Sequence, residues 1–86
     1  MKRILIVDDN FVNCEVLGLL LEADGHKVRL LELPENIDAE IADFLPDMIL
    51  MDVMMGQLNG MEICRRLESC PDFRTKIVLA PPRMHS

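Results

Sequence analysis

At 86 residues and with half of them apolar, the chain makes at most one small domain with enough apolar side chain for a core. A formal charge of −6 argues against a nucleic-acid surface, which needs clustered Lys and Arg. No apolar run approaches the roughly 20 residues that span a bilayer, and nothing resembles a signal peptide, so a cytoplasmic protein with no membrane association is expected.

In chain order, Ile4-Leu5-Ile6-Val7 is a short continuous apolar run, the mark of a strand buried on both faces, and Asp8 and Asp9 follow it. Asn10 can cap a helix whose apolar positions Val12, Val16, Leu19, Leu20 and Ala23 recur at helical spacing, and Gly25 ends it as a left-handed residue. Residues 27–33 alternate only partly, with Val28 and Leu30 against Lys27 and Arg29, which suits an edge strand. A second helix places Ile37, Ile41, Phe44 and Leu45 on one face, with Asp38, Glu40 and Asp43 outward, and Pro46 stops it.

Met48-Ile49-Leu50-Met51 is the second strongly apolar run, and Asp52 ends it. Residues 53–59 read as a loop rich in Met and Gly. Asn59 with Glu62 makes a capping-box-like start for a third helix, whose inner face is Ile63, Cys64 and Leu67 and where Glu62 can pair with Arg66. Arg65-Arg66 reads as a solvated face. Cys70-Pro71-Asp72 breaks the helix, and Ile77-Val78-Leu79-Ala80 forms a last strand before Pro81 and Pro82. Strands alternating with helices give a parallel, right-handed βαβ sheet. Cys14, Cys64 and Cys70 are odd in number and lack a Cys-x-x-Cys pattern, so they read as reduced, mostly buried thiols. His26 and His85 have no zinc-like spacing to them.

In open α/β sheets ligands sit beyond the carboxyl ends of the strands. If the strands ending at Asp8-Asp9 and at Asp52 are neighbours, the three acids converge there. Two carboxylates 4 Å apart repel by about 4 kcal/mol at an effective dielectric of 20, so such a cluster holds a proton or recruits a cation. Oxygen-only ligands with few carboxylates suit Mg²⁺ better than a calcium cage. The plainer reading of Asp8 and Asp9 alone is a pair of acids at the positive end of a helix. The third acid shifts the balance to a metal site.

These residues resemble the receiver (CheY-like) domains of two-component response regulators. The likeness lies in Ile4 through Asn10, in Leu45-Pro46-Asp47 through Asp52-Val53-Met54-Met55, and in Asn59-Gly60-Met61-Glu62. It runs from about Lys2 to Leu79. The resemblance implies a flavodoxin-like three-layer parallel sheet, truncated after its fourth strand: an incomplete receiver over residues 1–80 and a divergent tail over 81–86. It also implies that Asp52 is the phosphoacceptor, taking a phosphoryl group from a histidine kinase or a histidine phosphotransfer protein. Mg²⁺ would be bound by Asp8, Asp9, Asp52 and the backbone carbonyl of Met54, with Asp8 acting through water. Asn10, Met54 and Met55 would flank the site. No enzyme in the usual sense is expected, at most self-phosphorylation and slow self-dephosphorylation.

Departures from the family pattern fall late in the chain. Gly56 stands where receivers usually carry Pro, and Pro82 falls at the Thr or Ser position of the fourth strand's end. The family's phosphate-binding Lys belongs to a fifth strand with no counterpart here. Lys76 cannot replace it, because it begins its strand and so lies at the opposite edge of the sheet. One face of the sheet is expected to be partly uncovered, giving self-association, a bound partner or poor folding. The alternative from another class is a degenerate receiver acting only as an interaction module. A phosphatase of the haloacid dehalogenase type would want an acid two residues after the nucleophile, where Met54 stands.

Overall fold

The computed structural model describes residues 1–32, 34–55 and 58–80. Its elements run β1 (Arg3–Val7), α1 (Phe11–Ala23), β2 (Lys27–Leu31), a 3-10 turn (Pro34–Asn36), α2 (Ile37–Phe44), β3 (Met48–Asp52), β4 (Met54–Met55), β5 (Leu58–Asn59), α3 (Gly60–Glu68) and β6 (Lys76–Ala80). The main sheet has four parallel strands in the order β2-β1-β3-β6. The two apolar runs, β1 and β3, are therefore its centre, as continuous apolar strands require. The partly charged β2 lies at an edge. The last strand read from the sequence is β6, at the other edge.

Alternation along the strands splits the core in two. Leu5, Val7, Ile49 and Met51 face one side with Ile37, Phe44 and Leu67 of the helices, and Ile77 and Leu79 pack at its margin. Ile4 and Ile6 face the other side with Cys14, flanked by Val28, Leu30, Met48 and Leu50. Two helices, α2 and α3, cover the first face; among the described residues only α1 lies on the second.

The buried side of α1 is not the one its periodicity suggests. Val12, Val16, Leu19 and Leu20 are more than half exposed, and Ala23 is exposed too. Cys14 and Gly18 are buried and Leu21 is half-buried. The reason is close packing. A Cβ on Gly18 would already touch Val28 Cγ1 at 3.5 Å and Leu30 Cδ2 at 3.6 Å, so small residues, not large ones, meet the sheet. Asn10 caps the helix as expected, accepting from the Asn13 N–H at 3.3 Å, and Gly25 closes it at φ 92°.

Other differences are local. Leu45 does not share the inner face of α2: it is the helix's left-handed C-cap at φ 52° and is exposed. Ile37 and Phe44 are buried and Ile41 packs beside them. The segment read as a loop contains a short antiparallel ribbon, β4 with β5; Gly56 lies outside the described residues, as do Leu33, Pro82 and the 81–86 tail. In α3, Cys64 and Leu67 are buried and Ile63 half-buried. Arg66 pairs with Asp38 of α2 at 3.2 Å in place of the expected Glu62. Of the three thiols, Cys14 and Cys64 are buried and Cys70 is exposed.

Candidate metal and phosphoacceptor site

β1 and β3 are hydrogen-bonded neighbours, with Val7 in register with Met51. Their carboxyl ends therefore open at the same edge, and the three acids meet there. One carboxylate oxygen from each of Asp8, Asp9 and Asp52 lies within 4.8 Å of the others. Asp8 is buried, Asp52 half-buried and Asp9 exposed, so the cluster is anchored at its base and open at its mouth.

Asp8 and Asp52 are fixed by backbone. The Asp8 N–H donates to the Leu31 carbonyl at 3.2 Å, tying the end of β1 to the end of β2. The Asp8 carboxylate accepts from the Asn10 N–H at 2.9 Å, and the Cys14 thiol lies 3.7 Å from the Asp8 carbonyl. The chain thus turns through Asp9 and enters α1 directly. The Asp52 carboxylate accepts from the Met54 N–H at 3.3 Å, which turns the backbone just after β3. Met54 is exposed at that turn, while Met55 is buried in the core.

Gly60 was legible only as part of a pattern; its role is steric. A Cβ there would collide with the Asp52 carbonyl oxygen and stand 3.2 Å from Met51 Cγ. Its N–H donates to the Val53 carbonyl at 2.7 Å, and the Val53 N–H donates to Ala80 at 3.1 Å. Val53 therefore laces the start of α3 and the end of β6 to the tip of β3. Sequence reading gave Val53 no part; the glycine eight residues after Asp52 was its only outward sign.

The donor set is all oxygen, carries three carboxylates and is open on one side. That chemistry fits a hard divalent cation that keeps water ligands. It offers no thiol or imidazole for a softer metal. No helix among the described residues is long and apolar enough to cross a membrane.

Comparison with known proteins agrees with the geometry. The family model for the response regulator receiver domain matches residues 4–80. The response regulator MprA of Mycolicibacterium vanbaalenii is 39% identical over 77 residues, covering 90% of this chain and 33% of that protein. The chain thus spans about a third of the length of such curated relatives. Among solved structures, the N-terminal domain of a response regulator receiver protein from Methanoculleus marisnigri superposes with a TM-score of 0.84 at 26% identity, covering 92% of this chain and 65% of that one. The response regulator TrrA of Thermotoga maritima, solved in complex with Mg²⁺-BeF, gives a TM-score of 0.82 at 27% identity, covering 94% of this chain and 70% of that one. The parallel sheet, the acids at its carboxyl edge and these matches have one meaning: the chain belongs to the response regulator receiver domain family of two-component signalling.

Proposed function

We propose that Asp52 accepts a phosphoryl group from a phosphohistidine of a histidine kinase or histidine phosphotransfer protein. The observation that carries this reading is the meeting of Asp8, Asp9 and Asp52 within 4.8 Å beyond the ends of β1 and β3. An Asp52 carboxylate oxygen attacks phosphorus as the phosphorus–nitrogen bond breaks. The electron pair leaves on the histidine nitrogen, and an acyl phosphate remains on Asp52. Its half-exposed position gives a bulky donor access, and the Met54 N–H holds the other rotational freedom of the carboxylate in check.

Asp8, Asp9, Asp52 and the carbonyl of Met54 would hold Mg²⁺, which when bound offsets carboxylate repulsion and charge on the transferring group. The Mg²⁺-BeF complex of the Thermotoga relative supports that choice of ion. A cytoplasmic location fits a kinase partner of this kind.

The test is intact-mass analysis after exposure to a small phosphodonor with Mg²⁺. A single hydroxylamine-labile phosphate is expected, absent in Asp52→Asn. Asp9→Ala should weaken Mg²⁺ binding by roughly tenfold or more, since even groups behind the ligands are worth that much. An unlabelled wild type would leave a receiver fold that acts only as an interaction module.

A further inference from the structure

Between α1 and the edge strand β2 lies a trough of about 270 Å³. Gly18 and Leu19 of the helix and Val28 and Leu30 of the strand line its length, and Glu15 and Glu22 stand on its helix side. These residues belong to α1 and β2 alone, and β2 is the edge of the main sheet farthest from β6. The recess follows from Gly18. A Cβ there would lie 3.5 Å from Val28 Cγ1 and 3.6 Å from Leu30 Cδ2, and without one both strand side chains are left half-buried.

Glu15 and Glu22 share one stripe of α1, two turns and about 10.5 Å apart along the axis. Both are exposed, and among the described residues neither pairs with a cation. The cations of the neighbouring strand are turned away. Arg29 is held on the α2 side by Glu40 and Asp43, and alternation along β2 puts Lys27 on that same side. The trough therefore has an apolar middle and a negative charge towards each end.

We infer that this trough binds a linear aliphatic diamine of about eight carbons, with an ammonium group at each of Glu15 and Glu22 and the methylenes over Val28 and Leu30. Extended, such a chain spans about 11 Å between its nitrogens, which matches the separation of the two acids. Other occupants fit less well. A divalent metal ion needs its oxygen ligands within about 2.0–2.6 Å of itself, which acids two turns apart do not provide. A helix of a partner protein is about 10–12 Å across, too wide to enter a recess of this volume. Anions are repelled by both acids. An exposed ammonium–carboxylate pair is weak alone, but linking two of them makes the second contact intramolecular. Chain length is therefore the element that sets specificity. Glu15 lies more than a turn beyond the Asn10 cap, and the inference does not depend on the phosphoacceptor reading.

The test is a titration of the ¹⁵N-labelled protein, with Mg²⁺ present throughout, against diamines from 1,4-diaminobutane to 1,10-diaminodecane. Saturable amide shifts are expected at Gly18, Leu19, Val28 and Leu30. Affinity should rise by up to about fourfold per methylene and peak near 1,8-diaminooctane. Octylamine, with one charge, should bind several-fold more weakly. Glu15→Gln and Glu22→Gln should each weaken 1,8-diaminooctane several-fold and remove the peak, since a single acid no longer measures the chain. A wild-type series that is flat or rises without a peak overturns the inference. So do shifts confined to the edge of Asp8, Asp9 and Asp52, or a Glu15→Gln/Glu22→Gln double variant that binds like the wild type. A helical peptide with two lysines two turns apart that shifts the same amides and binds more tightly than every diamine also overturns it, and makes the occupant a partner protein. Should the variants fail to fold by circular dichroism, the wild-type series with octylamine decides.

Discussion

Gly60 is the residue whose substitution should separate fold from site most sharply. Any side chain there meets the Asp52 carbonyl and crowds Met51, so Gly60→Ala must push α3 away from the tip of β3. An overpacking cost of about 1–3 kcal/mol is expected, read as a lower urea midpoint, together with slower labelling of Asp52. Ala at the neighbouring exposed Met61 should change neither. Phe44 has a different role, away from the site: the residue is 2% exposed, and the guanidinium groups of Arg3 and Arg29 lie over its ring at 4.4 Å and 4.7 Å from the centroid. Asp43 and then Glu40, through their hydrogen bonds, raise the Arg29 pKa above its ordinary value. Phe44→Ala should cost about 3–5 kcal/mol, a large share of what a small domain has. The cysteines divide by reactivity. Burial pushes the Cys64 thiol above the ordinary value of 9.0, with a Glu68 hydrogen bond adding to it. A raised folded-state value means that the neutral thiol stabilises the fold below pH 9.0 and that this contribution is lost as pH rises further. Cys70 should therefore alkylate first at pH 8, with Cys64 lagging until the chain is unfolded; equal rates would contradict the packing of α3.

Among the elements, the central strands were the most legible and α1 the least. The runs Ile4-Leu5-Ile6-Val7 of β1 and Met48-Ile49-Leu50-Met51 of β3 are apolar at every position because both strands are central, and an acid closing each run could only lie at the carboxyl edge. That combination makes the three-acid cluster readable in the sequence. The face of α1 was not readable, because the helix is apolar around most of its circumference. Asn13, Glu15 and Glu22 are its only polar residues, and spacing alone cannot choose among several apolar stripes. What chose was volume: the sheet accepts Cys14 and Gly18 at close range and leaves the larger residues outside. Nor could the hydrophobic pattern show Leu45 as a left-handed cap, since any residue there would be asked to adopt the turn. Gly18→Ala tests the packing account directly. Its Cβ would make ordinary contact with Val28 and Leu30, and a helix interior prefers alanine to glycine by up to about 1 kcal/mol. The thermal midpoint should rise. A fall would mean that α1 sits closer to the sheet than 3.5 Å contacts allow.

At the scale of the molecule the layers are unequal. Two helices back the face that holds Phe44 and Met51, whereas one helix backs the face of Ile4, Ile6, Met48 and Leu50 among the described residues. The dimensions of 39 × 32 × 18 Å reflect this thin arrangement. Stability should accordingly be graded across the sheet, greatest at β1 and β3 and least at β6, whose residues alternate between exposed and half-buried. Native-state hydrogen exchange can resolve that grading. The Ile6 and Leu50 amides lie in the two central strands and should exchange only when the sheet opens as a whole. The Val78 and Ala80 amides point to β3 and should exchange sooner, through local opening of β6 from β3. Equal protection in β1, β3 and β6 would mean that the sheet opens as a single unit and that the unequal layers leave no mark on its stability.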